Sequence, residues 1–123
     1  MNTTSRIGAG ILGIAVCCGA MGSHILKQIL SEAALANWQT AVQYQVMHGL
    51  ALFILGRLPV PKKATRVIVP LFVAGVIIFS GGLYAVALTG YKPLGRVIPL
   101  GGAAWIVAWA ILVFTRNVNQ NTT

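Results

Sequence analysis

Long apolar stretches with short polar punctuation dominate the chain. Residues 7–26 (IGAGILGIAVCCGAMGSHIL), 67–89 (VIVPLFVAGVIIFSGGLYAVALT) and 97–115 (VIPLGGAAWIVAWAILVFT) are almost unbroken. A fourth stretch, 39–58, is more polar at its start. A helix needs about 20 apolar residues to cross the hydrocarbon of a bilayer. The pattern therefore predicts an all-α fold: an integral membrane four-helix bundle in a single domain, 1–123. The segment QILSEAALANW, 28–38, is too polar to cross. It is expected to form a short interfacial helix between the first two spans, with Trp38 at the headgroup level.

The punctuation agrees with this division. Pro59 and Pro61 close the second span, since proline cannot extend the backbone ladder. Lys62, Lys63 and Arg66 follow in what reads as a short loop. Pro70 and Pro99 fall near the starts of the third and fourth spans, where a missing N–H costs little. Gly90 is placed to stop the third helix. The tail NVNQNTT is expected to fray.

Composition removes the soluble alternatives. Of 123 residues, 57% are hydrophobic and 8% are charged, with a mean hydropathy of +0.82. Nine Lys and Arg face a single acidic residue, Glu32. A nucleic-acid binder would gather that excess on one charged face. Here it flanks apolar runs, so the bilayer, not nucleic acid, is the expected partner. With four spans, Arg6, Arg57, Lys62, Lys63, Arg66 and Arg116 share one side, and Lys27, Lys92 and Arg96 share the other. The positive-inside rule then places both termini in the cytoplasm. Arg6, the first apolar run and the small residues around Gly22 also resemble a cleavable leader, but the run is long for a signal core. Cys17 and Cys18 lie together inside that run with no second pair, so neither a zinc site nor a disulfide framework is expected.

Polar residues inside apolar spans are the candidates for function. The second span carries Tyr44, Gln45 and His48, and the third carries Ser80 and Tyr84. We count from Trp38 and Thr89 at about 1.5 Å per residue. His48 and Ser80 then lie about 15 and 13 Å deep, and Tyr44 and Tyr84 about 9 and 8 Å. Tyr44/His48 and Ser80/Tyr84 are each four apart, so each pair shares a helix face. These levels predict one polar cluster in the outer half of the bundle. Its function is either interhelical hydrogen bonding or a site for a small molecule or ion. His24 lies near the outer end of the first span, about 10 Å shallower than His48, which argues against a shared haem or metal. No cofactor is expected. The spans contain no carboxylate, and Ser80 has no nucleophile-elbow context, so an enzyme is not expected either.

Small residues recur on the helices: Gly8, Gly10, Gly13, Gly19 and Gly22 on the first, Gly81 and Ala85 on the third, and Gly101 through Ala104 on the fourth. Such faces let helices pack closely in a bilayer. They suit packing within one bundle, or a homo-oligomer or larger membrane-protein partner.

Four motifs occur in order: GAMGSHILK (19–27), WQTAVQYQVMHGLAL (38–52), FSGGLYAVALTG (79–90) and PLGGAAWIVAW (99–109). This set, spanning about residues 8–113, resembles the small four-span membrane proteins grouped as domain of unknown function 423, whose animal relatives are called transmembrane protein 256. Gly49 and Gly82 stand where the family pattern commonly has other small residues. The resemblance implies a bacterial inner-membrane protein and marks His24, Tyr44, Gln45, His48, Ser80 and Tyr84 as pattern positions. It implies no mechanism. The expected function is a non-enzymatic membrane subunit or accessory protein, the alternative being transport or binding around His48.

Overall fold

The computed structural model describes residues 1–116, so the expectation for the tail NVNQNTT lies outside the described residues. Every regular element among the described residues is helical. Helix α1 (Thr3–Ser23) is followed by a short α2 (Ile25–Ile29), the long α3 (Glu32–Leu55) and α4 (Lys62–Gly75). A π turn (Val76–Ser80) joins α4 to α5 (Gly81–Thr89). A 3-10 turn (Lys92–Arg96) then leads into α6 (Ile98–Phe114). Three stretches are long and apolar enough to cross a membrane: Thr3–Ile29, Lys62–Thr89 and Lys92–Phe114. Helix α3, with 24 residues, is of similar length but more polar.

The helix ends have local causes. The Asn2 side chain caps α1 by accepting from Ser5 N at 2.9 Å, and Ser31 caps α3 by accepting from Ala34 N at 3.1 Å. Each satisfies a backbone donor that the first turn leaves free. Glu32, the one acidic residue, sits in the first turn of α3, where it complements the helix dipole. Gly90 ends α5 in the left-handed conformation, φ 69°, as its position after the span suggests.

Three boundaries differ from the sequence expectation. The short helix between the first two long helices lies at Ile25–Ile29, and residues 32–38 form the first two turns of α3. Ser31 and Glu32 start that helix, and Trp38 is packed inside the bundle at 4% exposure. Lys62, Lys63 and Arg66 belong to the first turns of α4, not to a loop. Pro70 consequently falls inside α4, where it removes one backbone hydrogen bond. Pro99 does lie at the start of α6.

The Lys62–Thr89 stretch is the pivot of the packing. Its first half, α4, lies against α6, the π turn touches both α6 and α3, and α5 lies against α3, whose other flank carries α1. Helices α1 and α3 cross where Gly8 meets Gly49: a Cβ at Gly8 would sit 2.6 Å from the Gly49 carbonyl oxygen. A Cβ at Gly101 would sit 2.6 Å from Phe79 N, so α6 rides equally close on the π turn. Close backbone approach of this kind replaces the hydrophobic drive that lipid does not provide. Gly10 and Gly13, by contrast, have nothing within 4 Å of such a Cβ and face outward. The buried apolar residues form two groups. Leu52, Leu55, Ile68, Phe72, Trp105 and Ala108 fill one end, and Leu26, Trp38 and Ala87 fill the other.

Candidate functional site

The polar residues of α3 sit between these two apolar groups, and they divide by face. Gln45 (3% exposed) points between α1 and α5. Its Nε2 donates to the Ile11 carbonyl at 3.0 Å, and its Oε1 accepts from the Tyr84 hydroxyl at 2.6 Å. One side chain thereby ties three helices. Tyr84 also packs its ring on Trp38, centroids 4.4 Å apart, and the Trp38 indole donates to the Cys18 carbonyl at 2.8 Å. Ser80, fully buried, donates to the Ala41 carbonyl at 2.8 Å.

His48 occupies a different environment. It turns toward α4 and α6, stacked on Trp105 with centroids 3.8 Å apart and planes 5° apart. Tyr44 stacks more loosely on the same indole, at 5.8 Å. Phe72 and Trp109 close the ring of aromatics at 5.6 and 5.9 Å from the imidazole. Trp109 Nε1 donates to His48 Nε2 at 3.1 Å, while His48 Nδ1 lies 2.9 Å from the Tyr44 carbonyl. An indole N–H can only donate, and a carbonyl can only accept. His48 Nε2 must therefore be the acceptor and Nδ1 must carry the hydrogen. One neutral tautomer satisfies both contacts, and no ring nitrogen is left over for a ligand.

The residues expected in one cluster thus fall into two groups on different faces of α3. Tyr44 and His48 form an aromatic group with α6, and Gln45, Ser80 and Tyr84 form a hydrogen-bonded group with α1 and α5. The separation of Ser80 from His48 follows from the origin of the depth count. With α3 starting at Glu32, Ala41 is nine residues in, and Ser80 is nine residues from the end of α5 at Thr89. Those two residues bond. His48 is sixteen residues in, level with Phe72, seventeen from Thr89 across the π turn. His24 is exposed at the junction of α1 and α2, outside both groups. Among the described residues no group of His, Cys, Asp or Glu could hold a metal ion.

Sequence reasoning missed the aromatic and terminal partners. Trp105 and Trp109 share a helix face at four-residue spacing, as Tyr44 and His48 do, and that pairing was the available signal. Trp105 also donates to the Phe72 carbonyl at 3.0 Å, where α4 passes into the π turn. Near the chain start, the Ser5 hydroxyl donates to the Phe53 carbonyl at 2.9 Å, and Asn2 Nδ2 donates to the Gly56 carbonyl at 2.6 Å. These bonds fasten α1 to the end of α3. Every buried side-chain nitrogen and oxygen among the described residues has a partner.

Long apolar helices crossing at glycines, with interior polar groups bonded to one another, define a helical membrane protein. The comparisons narrow this class to a family. A family model described as "Protein of unknown function (DUF423)" matches residues 18–102. The chain is 41% identical over 104 residues to the UPF0382 membrane protein SAB0533 of Staphylococcus aureus strain RF122, covering 81% of this chain and 83% of that one. It is 38% identical over 113 residues to a UPF0382 membrane protein of Staphylococcus haemolyticus, covering 89% and 90%. With the UPF0382 membrane protein YwdK of Bacillus subtilis the identity is 36% over 103 residues, covering 81% and 84%. The chain belongs to the DUF423 family of membrane proteins. No solved structure matches it.

Proposed function

We propose that this protein is a non-enzymatic component of the bacterial cytoplasmic (inner) membrane, a small subunit or accessory protein whose interior polar residues hold its helices in register. The observation that carries this reading is the state of His48. Both ring nitrogens are engaged by Trp109 and by the Tyr44 carbonyl. An imidazole used in this way is a packing element rather than a base or ligand. Gln45 is engaged similarly, by Ile11 and Tyr84.

The same reading takes α3 as a fourth span. Its 24 residues reach about 36 Å at 1.5 Å per residue, enough for the hydrocarbon core. Its inward polar groups are satisfied within the bundle. Six basic residues on one side against three on the other support cytoplasmic termini.

Native mass spectrometry in mild detergent, with an absorbance spectrum of the same sample, tests the proposal. The expected result is the mass of the chain or a simple multiple of it, with ordinary lipid at most. A further bound mass or chromophore that disappears in His48→Ala would refute the packing reading.

A further inference from the structure

Helix α3 carries two more glutamines than its interior uses. Gln39 and Gln43 are exposed on the outer surface of the bundle, one helical turn apart on one face. Around them lie Ala36, Val46, Met47 and Leu50, also exposed. Unlike Gln45, which bonds to two helices, neither side chain has a hydrogen-bond partner among the described residues. Beside them runs a groove of about 310 Å³ lined by Gly19, Gly22, Ser23, Trp38 and Val42 as well as the two glutamines.

Depth makes this arrangement costly. Gln43 is the twelfth of 24 residues in α3, the middle of the helix. In a span it lies about 16 Å from either end, beyond the reach of a glutamine side chain to the headgroups. Hydrocarbon offers nothing to its carbonyl oxygen or amide hydrogens, and an unsatisfied polar group there is expensive.

We propose that the Gln39/Gln43 face of α3 is a self-association surface, on which a second copy of this chain packs in parallel. The inference rests on the four-span reading above. The argument for a second copy is chemical. A primary amide is both donor and acceptor, so across a two-fold axis along the membrane normal each glutamine meets its own equivalent at the same depth, and both are satisfied. Glutamines on lipid-facing helices associate in this way. The adjacent groove accepts side chains from the partner's α3.

The test uses the full chain in native membranes, with Cys17 and Cys18 replaced by alanine. In this background Gln43→Cys is expected to form a disulfide-linked dimer on oxidation, and Ile106→Cys, outward on α6, is not. With the native cysteines, Gln43→Leu is expected to weaken dimerisation in mild detergent about tenfold, and Gln43→Asn to preserve it. The variants are surface changes, so thermal melting of the monomer serves as a check on folding. Unchanged dimerisation of Gln43→Leu overturns the proposal. So does a dimer that crosslinks through the native Cys17 while the Gln43→Cys variant does not, which would move the interface to α1. Capture of a different protein by the Gln43→Cys thiol overturns it as well. Rapid labelling of Gln43→Cys by a membrane-impermeant thiol reagent would show that α3 lies in water, and the four-span reading would fall too. A Gln43→Cys thiol that is protected yet uncrosslinked refutes self-association alone.

Discussion

Replacing His48 by alanine separates a packing residue from a ligand site. The imidazole is 3% exposed and stacked at 3.8 Å on Trp105. Truncation removes about 65 Å³ of side chain, and an unrelaxed void of that size costs about 1.6 kcal/mol. Loss of the aromatic contact adds about 1 kcal/mol, and loss of the Trp109 hydrogen bond about 0.6 kcal/mol. The expected destabilisation is therefore about 3 kcal/mol, subject to how far Phe72, Trp105 and Trp109 close the gap. His48→Phe refills the volume and the stack but forfeits the hydrogen bonds, so it is expected to cost only about 1 kcal/mol. Equilibrium unfolding in mixed micelles, followed by tryptophan fluorescence, reads both variants, since two of the three indoles touch the imidazole. The reasoning fails if His48→Ala unfolds within about 0.5 kcal/mol of the unaltered protein, the usual range of a surface change. It also fails if His48→Phe is as damaging as His48→Ala.

Other consequences are open to the same methods. Gly8→Leu drives a side chain into the α3 backbone at Gly49 and Phe53 and is expected to abolish folded yield in size-exclusion chromatography. Gly13→Leu, which meets nothing within 4 Å, leaves that yield unchanged. A double-mutant cycle of Gln45→Leu and Tyr84→Phe is expected to give a coupling of about 0.6–1.7 kcal/mol in unfolding. A coupling near zero would remove the Gln45–Tyr84 bond as a determinant of helix register. Lys63→Cys and Lys92→Cys, each made singly in the background lacking Cys17 and Cys18, should label from opposite sides of the membrane, with position 63 on the cytoplasmic side. Labelling of both from one side would refute the four-span topology.

The candidate residues were legible because polar groups stand out against an apolar background. Tyr44, Gln45, His48, Ser80 and Tyr84 each engage a partner on another helix or within α3. Their partners were less legible. The Ile11, Cys18 and Ala41 carbonyls carry no side-chain signature, and any residue could supply them. Residue type alone places Trp38 at the membrane surface, but the room left at Gly22 and the carbonyl of Cys18 hold it inside. The start of α3 at Glu32 is hidden in the sequence because SEAALANW is too polar to read as part of a span. Ser31 and Glu32 are nevertheless good helix-starting residues.

The sequence by itself determined that the chain is helical and belongs in a membrane. Apolar length, sparse charge and the positions of proline and glycine are local properties, and each acts through the hydrophobic cost or the backbone geometry of its own segment. It also determined which side chains need partners. Only the tertiary structure decided who those partners are. Contacts between helices follow from relative register, and an error of about six residues at one helix start shifts every level by about 9 Å. That shift separates Ser80 from His48 and delivers the imidazole to the indoles of Trp105 and Trp109.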